Sequence, residues 1–282
     1  DLNNIANFGQ HTATSSDSDI VAAQANSNAS AGSYELGVTQ LAKAHSLASG
    51  SYASVTDTVG SGTLTIRFGT TDYTPPDPGP ESYNGFTVNP DRGVATITID
   101  SSNDSLEGVR DAVNAADIGV SAAIVNDGSG FRLLLSSDQT GTDNSLEISV
   151  DDLGDGNDLD TAGLSALAFN SGATNQSQTV VAQDAIFSIN GLSISSSTNT
   201  ASDVIDGVDI TLKDLTGAAP VTVTVAQDRD SVKQAITGLV GGDNRFIQSI
   251  NTLTAYDPEP GAARALQGDW PGRASCRGRG GG

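Results

Sequence analysis

The residues of this sequence that could do chemistry are few, and the densest group of them is acidic. The segment Asp151-Asp152-Leu153-Gly154-Asp155-Gly156-Asn157-Asp158-Leu159-Asp160 combines carboxylates with glycines, and oxygen-rich loops of this kind suit calcium. Its middle matches one turn of a calcium-binding β-roll, but a roll needs stacked repeats and the sequence has one copy. The glutamate that an EF-hand places at its twelfth position is also missing. We predict a solvated acidic loop and keep a calcium site as the alternative.

Histidine and cysteine are too scarce for nucleophilic catalysis or for a zinc site. His11 lies in a polar segment, His45 lies among small residues, and no Gly-x-Ser-x-Gly motif is present. The single cysteine, Cys276, excludes an internal disulfide, and with two histidines it makes zinc binding unfavourable. We therefore predict no catalytic residues, no metal site and no cofactor.

The 34 acidic residues of the chain offer many possible carboxylate pairs of the glycosidase type. Such pairs usually lie in a cleft lined with aromatic rings, and only 5% of this chain is aromatic. Surface acids that keep a secreted protein soluble are the better interpretation. The sequence is predicted not to be an enzyme.

Composition excludes several further classes. The net charge is −21, with 13 basic residues, so the basic stripe of a nucleic-acid-binding protein is missing. A membrane span needs about 20 consecutive apolar residues, and the sequence has no such run. The length of 282 residues predicts about two domains. The Ser/Thr/Gly-rich, acidic character favours a secreted, extracellular β-rich protein, and the absence of methionine indicates an internal fragment or a processed product.

Alternating apolar residues predict strands along most of the chain. The alternating sets are Tyr34/Leu36/Val38, Leu64/Ile66/Phe68, Ala95/Ile97/Ile99, Val120/Ala122/Ile124, Leu146/Ile148/Val150, Ala185/Phe187/Ile189, Val208/Ile210/Leu212 and Val221/Val223/Val225. The dipeptide Asn190-Gly191 predicts a tight hairpin turn. Residues 1–30 are expected to be an irregular arm, and residues 151–179 a linker.

The period becomes helical in two places. Between Asp104 and Ala116 the sequence predicts a helix that begins with a capping box formed by Asp104 and Glu107. The second helical pattern runs from Ser231 to Thr254, with apolar residues at Val232, Ile236, Leu239, Val240, Phe246, Ile247, Ile250 and Leu253. Gly241-Gly242 is expected to interrupt it, because each glycine costs about 1 kcal/mol relative to alanine.

The strand at 33–41 has no local partner, although a single strand is not stable by itself. The hairpins beyond residue 180 are its natural partners. The unit between them, residues 61–179, is then an insertion in a discontinuous domain.

Four segments, in order along the chain, carry a family likeness. They are Gly32–Ala42 with its Val-x-x-Leu-Ala run, residues 60–150 with Leu106…Val109-Arg110-Asp111-Ala112-Val113-Asn114, Ala182–Gly191 with Thr198-Asn199-Thr200, and Asp206–Val225 leading to Asp228. Together they resemble the bacterial flagellar filament-cap proteins, the FliD family of hook-associated proteins. The second segment resembles a module that flagellins also carry, so the last two blocks make the likeness specific.

The resemblance implies a mainly β (α+β) fold of two β-rich domains, one inserted into the other, with a partial helical leg. The implied divisions are an arm near the leg at 1–30, a discontinuous β domain at 31–60 plus 180–228, an inserted flagellin-type β/α domain at 61–179, and a helical leg segment at 229–269. Residues 270–282 match nothing in the family and are expected to be a non-native, disordered tail. Most of the terminal helical legs is missing from this sequence.

The implied function is a structural cap at the distal end of the filament, which promotes the folding and addition of flagellin. Its partners would be flagellin, other hook-associated proteins and further copies of itself in a ring. A surface adhesin that binds host mucin or glycans is the alternative, and both roles can coexist.

Overall fold

The structure is a computed structural model, and it describes residues 10–76, 79 and 81–254. Many more of these residues lie in strands than in helices, so the predicted mainly β class is confirmed. The strands are β1 (His11–Ser15), β2 (Val21–Ala25), β3 (Gly32–Gln40), β4 (Ala44–Ala48), β5 (Gly62–Thr74), β6 (Ser82–Val88), β7 (Ala95–Ile99), β8 (Val120–Asn126), β9 (Phe131–Thr140), β10 (Ser145–Asp152), β11 (Ser177–Val180), β12 (Ala185–Ile189), β13 (Leu192–Ser196), β14 (Thr200–Ile205), β15 (Val208–Leu212) and β16 (Val221–Gln227). The helices are α1 (Leu106–Ala115) and α2 (Arg229–Thr254), with short 3₁₀ turns at Thr142–Asn144 and Gly163–Leu167.

Strands from both ends of the sequence form one sandwich, which we call the outer sandwich (β1–β3 and β12–β16). One sheet has the order β1-β16-β3-β12-β13 and the other the order β14-β15-β2. The alternating apolar residues point between the sheets and form one core cluster. Leu36, Phe187, Ile210 and Val223 in that core are at most 1% exposed.

The predicted pairing of the 33–41 strand is confirmed. Leu36 of β3 lies opposite Val221 of β16 on one side and opposite Ile189 of β12 on the other. The β12–β13 hairpin turns at Asn190 and Gly191, whose φ angles of 49° and 84° are both positive, as a tight primed turn requires. The Asn190 side chain also accepts a hydrogen bond from the Glu35 amide at 2.9 Å, which ties the turn to β3.

The remaining strands form a second compact region, which we call the inserted unit (β4–β11 with α1). Its sheets have the orders β10-β5-β6, with β7 also on β5, and β11-β4-β9-β8. Leu106, Val109 and Val113 of α1 are fully buried in the same core as Phe68 and Ile148. The chain passes between the two regions at one place, where Lys43 and Gln183 exchange backbone hydrogen bonds of 2.9 and 3.2 Å.

Three details of the sequence-based organisation differ from the structure. The segment expected to be an irregular arm contains β1 and β2, which belong to the outer sandwich. Strand β4 precedes the expected start of the insertion at residue 61, yet it pairs with β9 and β11 of the inserted unit. The expected linker at 151–179 buries Leu164, Leu167 and Phe169 completely. The domain limits themselves stay a prediction.

Both helices correct a local expectation. The N-cap of α1 is Ser105, not Asp104, because the Ser105 hydroxyl accepts a hydrogen bond from the Gly108 amide at 3.1 Å. Helix α2 is continuous through Gly241 and Gly242, so the expected interruption is wrong. The expected tail at 270–282 lies outside the described residues.

Candidate functional site

The acidic segment at 151–160 uses its carboxylates mainly to hold its own backbone. Asp152 is 2% exposed, and its two carboxylate oxygens accept hydrogen bonds from the amides of Gly154 (2.7 Å) and Ser165 (3.0 Å). The Ser165 hydroxyl donates a further bond at 3.0 Å. Burial by itself would raise the pKa of Asp152, but these hydrogen bonds outweigh it and the pKa is lowered. Asp152 is thus a charged structural anchor for the loop.

The rest of the loop follows the same pattern. Asp158 accepts a hydrogen bond from the Asp152 amide at 2.8 Å, and Asp155 accepts one from the Asn157 amide at 2.9 Å. Such short-range bonds from Asp side chains to amides stabilise turns without an ion. Within the described residues, no group of three His, Cys, Asp or Glu side chains is arranged to hold a metal ion. The solvated loop and the calcium site both remain predictions.

His45 has a structural environment that the sequence did not reveal. Its ring is fully buried next to Phe169, with the ring centroids 5.9 Å apart. Burial lowers its pKa to about 4, so the imidazole is neutral near pH 7. Its Nδ1 accepts a hydrogen bond from the Leu146 amide at 2.9 Å. Because His45 lies on β4 and Leu146 on β10, this bond joins the two sheets of the inserted unit.

The partner on the other side of the ring fixes the tautomer. Since Nδ1 of His45 accepts, the proton of the neutral ring lies on Nε2. The Gln178 amide nitrogen is 2.8 Å from Nε2, while the Gln178 carbonyl oxygen is buried without a partner. Exchanging the two amide atoms of Gln178 gives Nε2–H an acceptor, and the orientation of an amide is assigned from its hydrogen bonds. The hydrogen bonds then run continuously from the Leu146 amide through the His45 ring to the Gln178 side chain.

The histidines do not form a nucleophilic site. His11 lies on β1 of the outer sandwich, whereas His45 lies on β4 of the inserted unit and is fully buried. Cys276 lies outside the described residues. The ring of His45 is hydrogen-bonded to the Leu146 amide and to Gln178, so within the described residues it is not paired with a serine and a carboxylate as acyl transfer requires.

The aromatic rings of the inserted unit pack on one another. Tyr73 and Tyr83 contact Phe169 edge-on, with centroid distances of 5.0 and 5.8 Å. Burial and the negative charge of Glu147 raise the pKa of Tyr83, and Glu147 is itself paired with Arg67. These rings stabilise the core.

Helix α2 has an exposed apolar stripe. Exposed apolar side chains recur with a heptad-like spacing, at Ile236, Leu239, Val240, Phe246, Ile247 and Ile250, where the step from the second and third to the fourth and fifth is seven residues. Phe246 is 63% exposed. The side chains of Val232 and Leu253, which continue the pattern in the sequence, lie outside the described part. A stripe with this spacing faces one side of a helix about 39 Å long and suits packing against another helix.

A second surface lies on the outer face of the sheet β11-β4-β9-β8. It is a groove of about 570 Å³ with an apolar floor that includes Ala48, Val125, Leu134 and Val180. Arg132 and Asp127 also line the groove, and they form a salt bridge in which Arg132 Nε is 2.5 Å from Asp127 Oδ2. No sequence pattern predicts this groove, because its residues come from four separate strands.

Comparison with known proteins identifies the class. The family model described as the flagellar hook-associated protein 2 N-terminus matches residues 1–45, and the model of its C-terminus matches residues 182–270. The B-type flagellar hook-associated protein 2 of Pseudomonas aeruginosa is 36% identical over 269 residues, which are 90% of this chain and 50% of that protein. Flagellar hook-associated protein 2 of Escherichia coli K12 is 33% identical over 268 residues, or 92% of this chain and 52% of that protein. The chain thus spans about half the length of these relatives.

Solved structures agree with this result. The D1-D2-D3 domains of the flagellar cap protein FliD from Escherichia coli align with a TM-score of 0.68 and 31% identity, over 90% of this chain and 77% of that one. FliD from Pseudomonas aeruginosa PAO1 aligns with a TM-score of 0.65 and 32% identity, over 85% and 99%. The fold is that of a flagellar cap protein, a structural class without enzymatic activity. This chain belongs to the flagellar hook-associated protein 2 family.

Proposed function

We propose that this chain is part of a structural cap at the distal end of the bacterial flagellar filament, where it promotes the folding and addition of flagellin. The observation that carries the proposal is the likeness to solved cap proteins, which extends over the outer sandwich and the inserted unit together. The partners we propose are flagellin, other hook-associated proteins and further copies of the chain. Its location is then extracellular, at the flagellum tip. None of the described helices is long and apolar enough to cross a membrane.

We assign helix–helix contacts in this assembly to α2. Its apolar stripe leaves Leu239 58% and Phe246 63% exposed to solvent, which is unfavourable for a helix that stays unpaired. In a coiled coil with another leg helix, this stripe would form the seam. The coiled coil is part of the proposal.

The test is a strain that lacks the gene. If the protein is the cap, this strain sheds flagellin into the medium and does not swim, and the intact gene restores both properties. If the protein acts only as an adhesin for mucin or glycans, the strain swims normally and loses binding alone. Normal swimming of the deletion strain would refute the cap function.

A matched pair of variants then tests the role of α2. Phe246→Glu places a charge in the apolar stripe, while Gln248→Glu adds the same charge at an exposed position whose neighbours three and four residues away all lie outside the stripe. We expect Phe246→Glu to fail to restore swimming and Gln248→Glu to restore it. Because both side chains are exposed, neither substitution disturbs a packed core. Equal swimming by the two variants would exclude the stripe as a contact surface.

A further inference from the structure

One long segment of this acidic chain is almost free of charge. Residues 161–202 contain a single charged side chain, Asp184, although 17% of the whole chain is charged. Asp184 accepts hydrogen bonds from the Thr142 amide at 2.8 Å and from the Ser195 hydroxyl at 3.3 Å. The segment includes β11, β12 and β13, so it supplies a neutral surface to a molecule that is otherwise strongly negative.

Strand β13 is an open edge of the five-stranded sheet in the outer sandwich. Within the described residues it ends the sheet order β1-β16-β3-β12-β13, and it pairs with β12 over five residues without a bulge. Natural edges are usually protected by lysine, proline, a bulge or an inward charge. The sequence Leu192-Ser193-Ile194-Ser195-Ser196 has none of these devices. The opposite edge, β1, is followed within four residues by Asp17 and Asp19.

The side of β13 that faces the core is incompletely covered. In the register of the hairpin, Leu192 is opposite the buried Ile189 and Ile194 is opposite the buried Phe187. Cross-strand partners point to the same face of a sheet, so both residues belong to the apolar face. Leu192 is nevertheless 72% exposed, and Ile194 is half-buried. The apolar layer of the sandwich is therefore open at this edge.

We propose that the edge formed by β13, with Leu192 as its apolar anchor, is a contact surface for a second copy of this chain. A strand that adds to an open edge gains main-chain hydrogen bonds, and here it would also cover Leu192. The charge distribution favours another copy as the occupant. Two molecules of charge −21 repel one another over most of their surface, so they can meet closely only where each is neutral. A basic partner would instead be attracted to the acidic surfaces. The proposed function includes contacts between copies of the chain, and the proposal for β13 rests on that part of it.

The test is the mass of the chain in solution, measured by sedimentation velocity over a range of concentrations. Two leucines provide a matched pair, because Leu192 and Leu153 are both 72% exposed, and Leu153 lies in the acidic loop outside the neutral segment. The variants are Leu192→Lys and Leu153→Lys, which add the same charge. We expect the wild-type chain to associate as its concentration rises. Leu192→Lys should raise the dissociation constant at least tenfold, because a lysine in the contact would lose its hydration, and Leu153→Lys should leave it nearly unchanged.

Three results would overturn the proposal. They are a wild-type chain that stays monomeric up to millimolar concentration, equal effects of the two lysines, and an association that Leu192→Lys does not weaken. Circular dichroism of each variant confirms that the fold is intact. The measurement needs no flagellum, so its failure leaves the cap function to be decided by swimming and flagellin shedding.

Discussion

The buried His45 makes the stability of the inserted unit depend on pH between its unfolded pKa of 6.5 and its folded pKa of about 4. Below pH 6.5 the unfolded chain binds a proton that the folded chain does not, so stability falls as the pH falls. One pH unit in this window corresponds to about 1.4 kcal/mol. Between pH 6.5 and pH 5.0 we therefore expect a loss of about 2 kcal/mol, and about 3 kcal/mol by pH 4.

The assay is urea unfolding at pH 7.0, 6.5, 6.0, 5.5 and 5.0, followed by tyrosine fluorescence. Tyr52, Tyr73 and Tyr83 all pack against the core of the inserted unit, so the signal reports mainly on that region. The hydrogen bonds to Asp152 hold its pKa below the ordinary value, so its titration affects stability only at more acidic pH. Measurements above pH 5 thus isolate the histidine.

The two histidines of the chain supply the control. His45→Gln keeps a polar side chain that can accept the Leu146 amide and removes the titrating group, so the slope between pH 6.5 and 5.0 should disappear even if the variant is less stable overall. His11→Gln should retain the slope. A wild-type stability that is flat from pH 7 to pH 5, or a slope that survives His45→Gln, would refute the reasoning.

Further predictions concern packing, strain, ions and salt. Phe187→Ala should destabilise the outer sandwich by about 3–5 kcal/mol, whereas Ile186→Ala, at a 40% exposed neighbour, should cost less than about 1 kcal/mol in the same urea melts. Gly163→Ala should cost more than Gly156→Ala, because both have positive φ (56° and 76°) but only at Gly163 would the new methyl group collide with the Asp152 carboxylate. Equal losses at the two glycines would contradict this. Calcium at millimolar concentration should leave the Tm unchanged if the acidic loop is ordered by its own hydrogen bonds, and a rise in Tm would establish the calcium site. Raising the salt concentration from about 0.05 to 0.5 M should strengthen self-association in the ultracentrifuge, because screening weakens like-charge repulsion.

The strands that the sequence predicted correctly are those with one apolar and one polar face. Leu36, Phe187 and Val223 alternate with polar residues, and all three are buried where their sheets face each other. In β1 and β4 that signal is missing. The segment His11-Thr12-Ala13-Thr14-Ser15 has no large apolar side chain, and β4 is buried over four successive residues, so neither shows an apolar–polar alternation. Their pairing is imposed by strands distant in the sequence.

The candidate sites also depend on contacts that no periodic pattern in the sequence predicts. The acidic segment could be recognised in the sequence. The hydrogen bonds that Asp152 accepts from the Gly154 and Ser165 amides could not, because they depend on the path of the loop between residues 152 and 165, which no apolar–polar pattern predicts. His45 resembled an ordinary residue among small neighbours, because its partners Leu146 and Gln178 are 101 and 133 positions away. The continuity of α2 through two glycines shows that a penalty of about 1 kcal/mol each does not by itself end a helix.

The two backbone hydrogen bonds between Lys43 and Gln183 have a consequence for how this chain can vary. The chain leaves the outer sandwich and returns to it at adjacent positions, so a connection between these two residues would keep the sandwich continuous. A short turn from Lys43 to Gln183 would make that connection, and a shorter loop costs less entropy to close. We therefore expect that replacing the inserted unit by such a turn would leave the strands on either side connected. The replacement would remove further hydrogen bonds, from the Thr140 hydroxyl to the Ser197 carbonyl and from the Thr142 amide to Asp184.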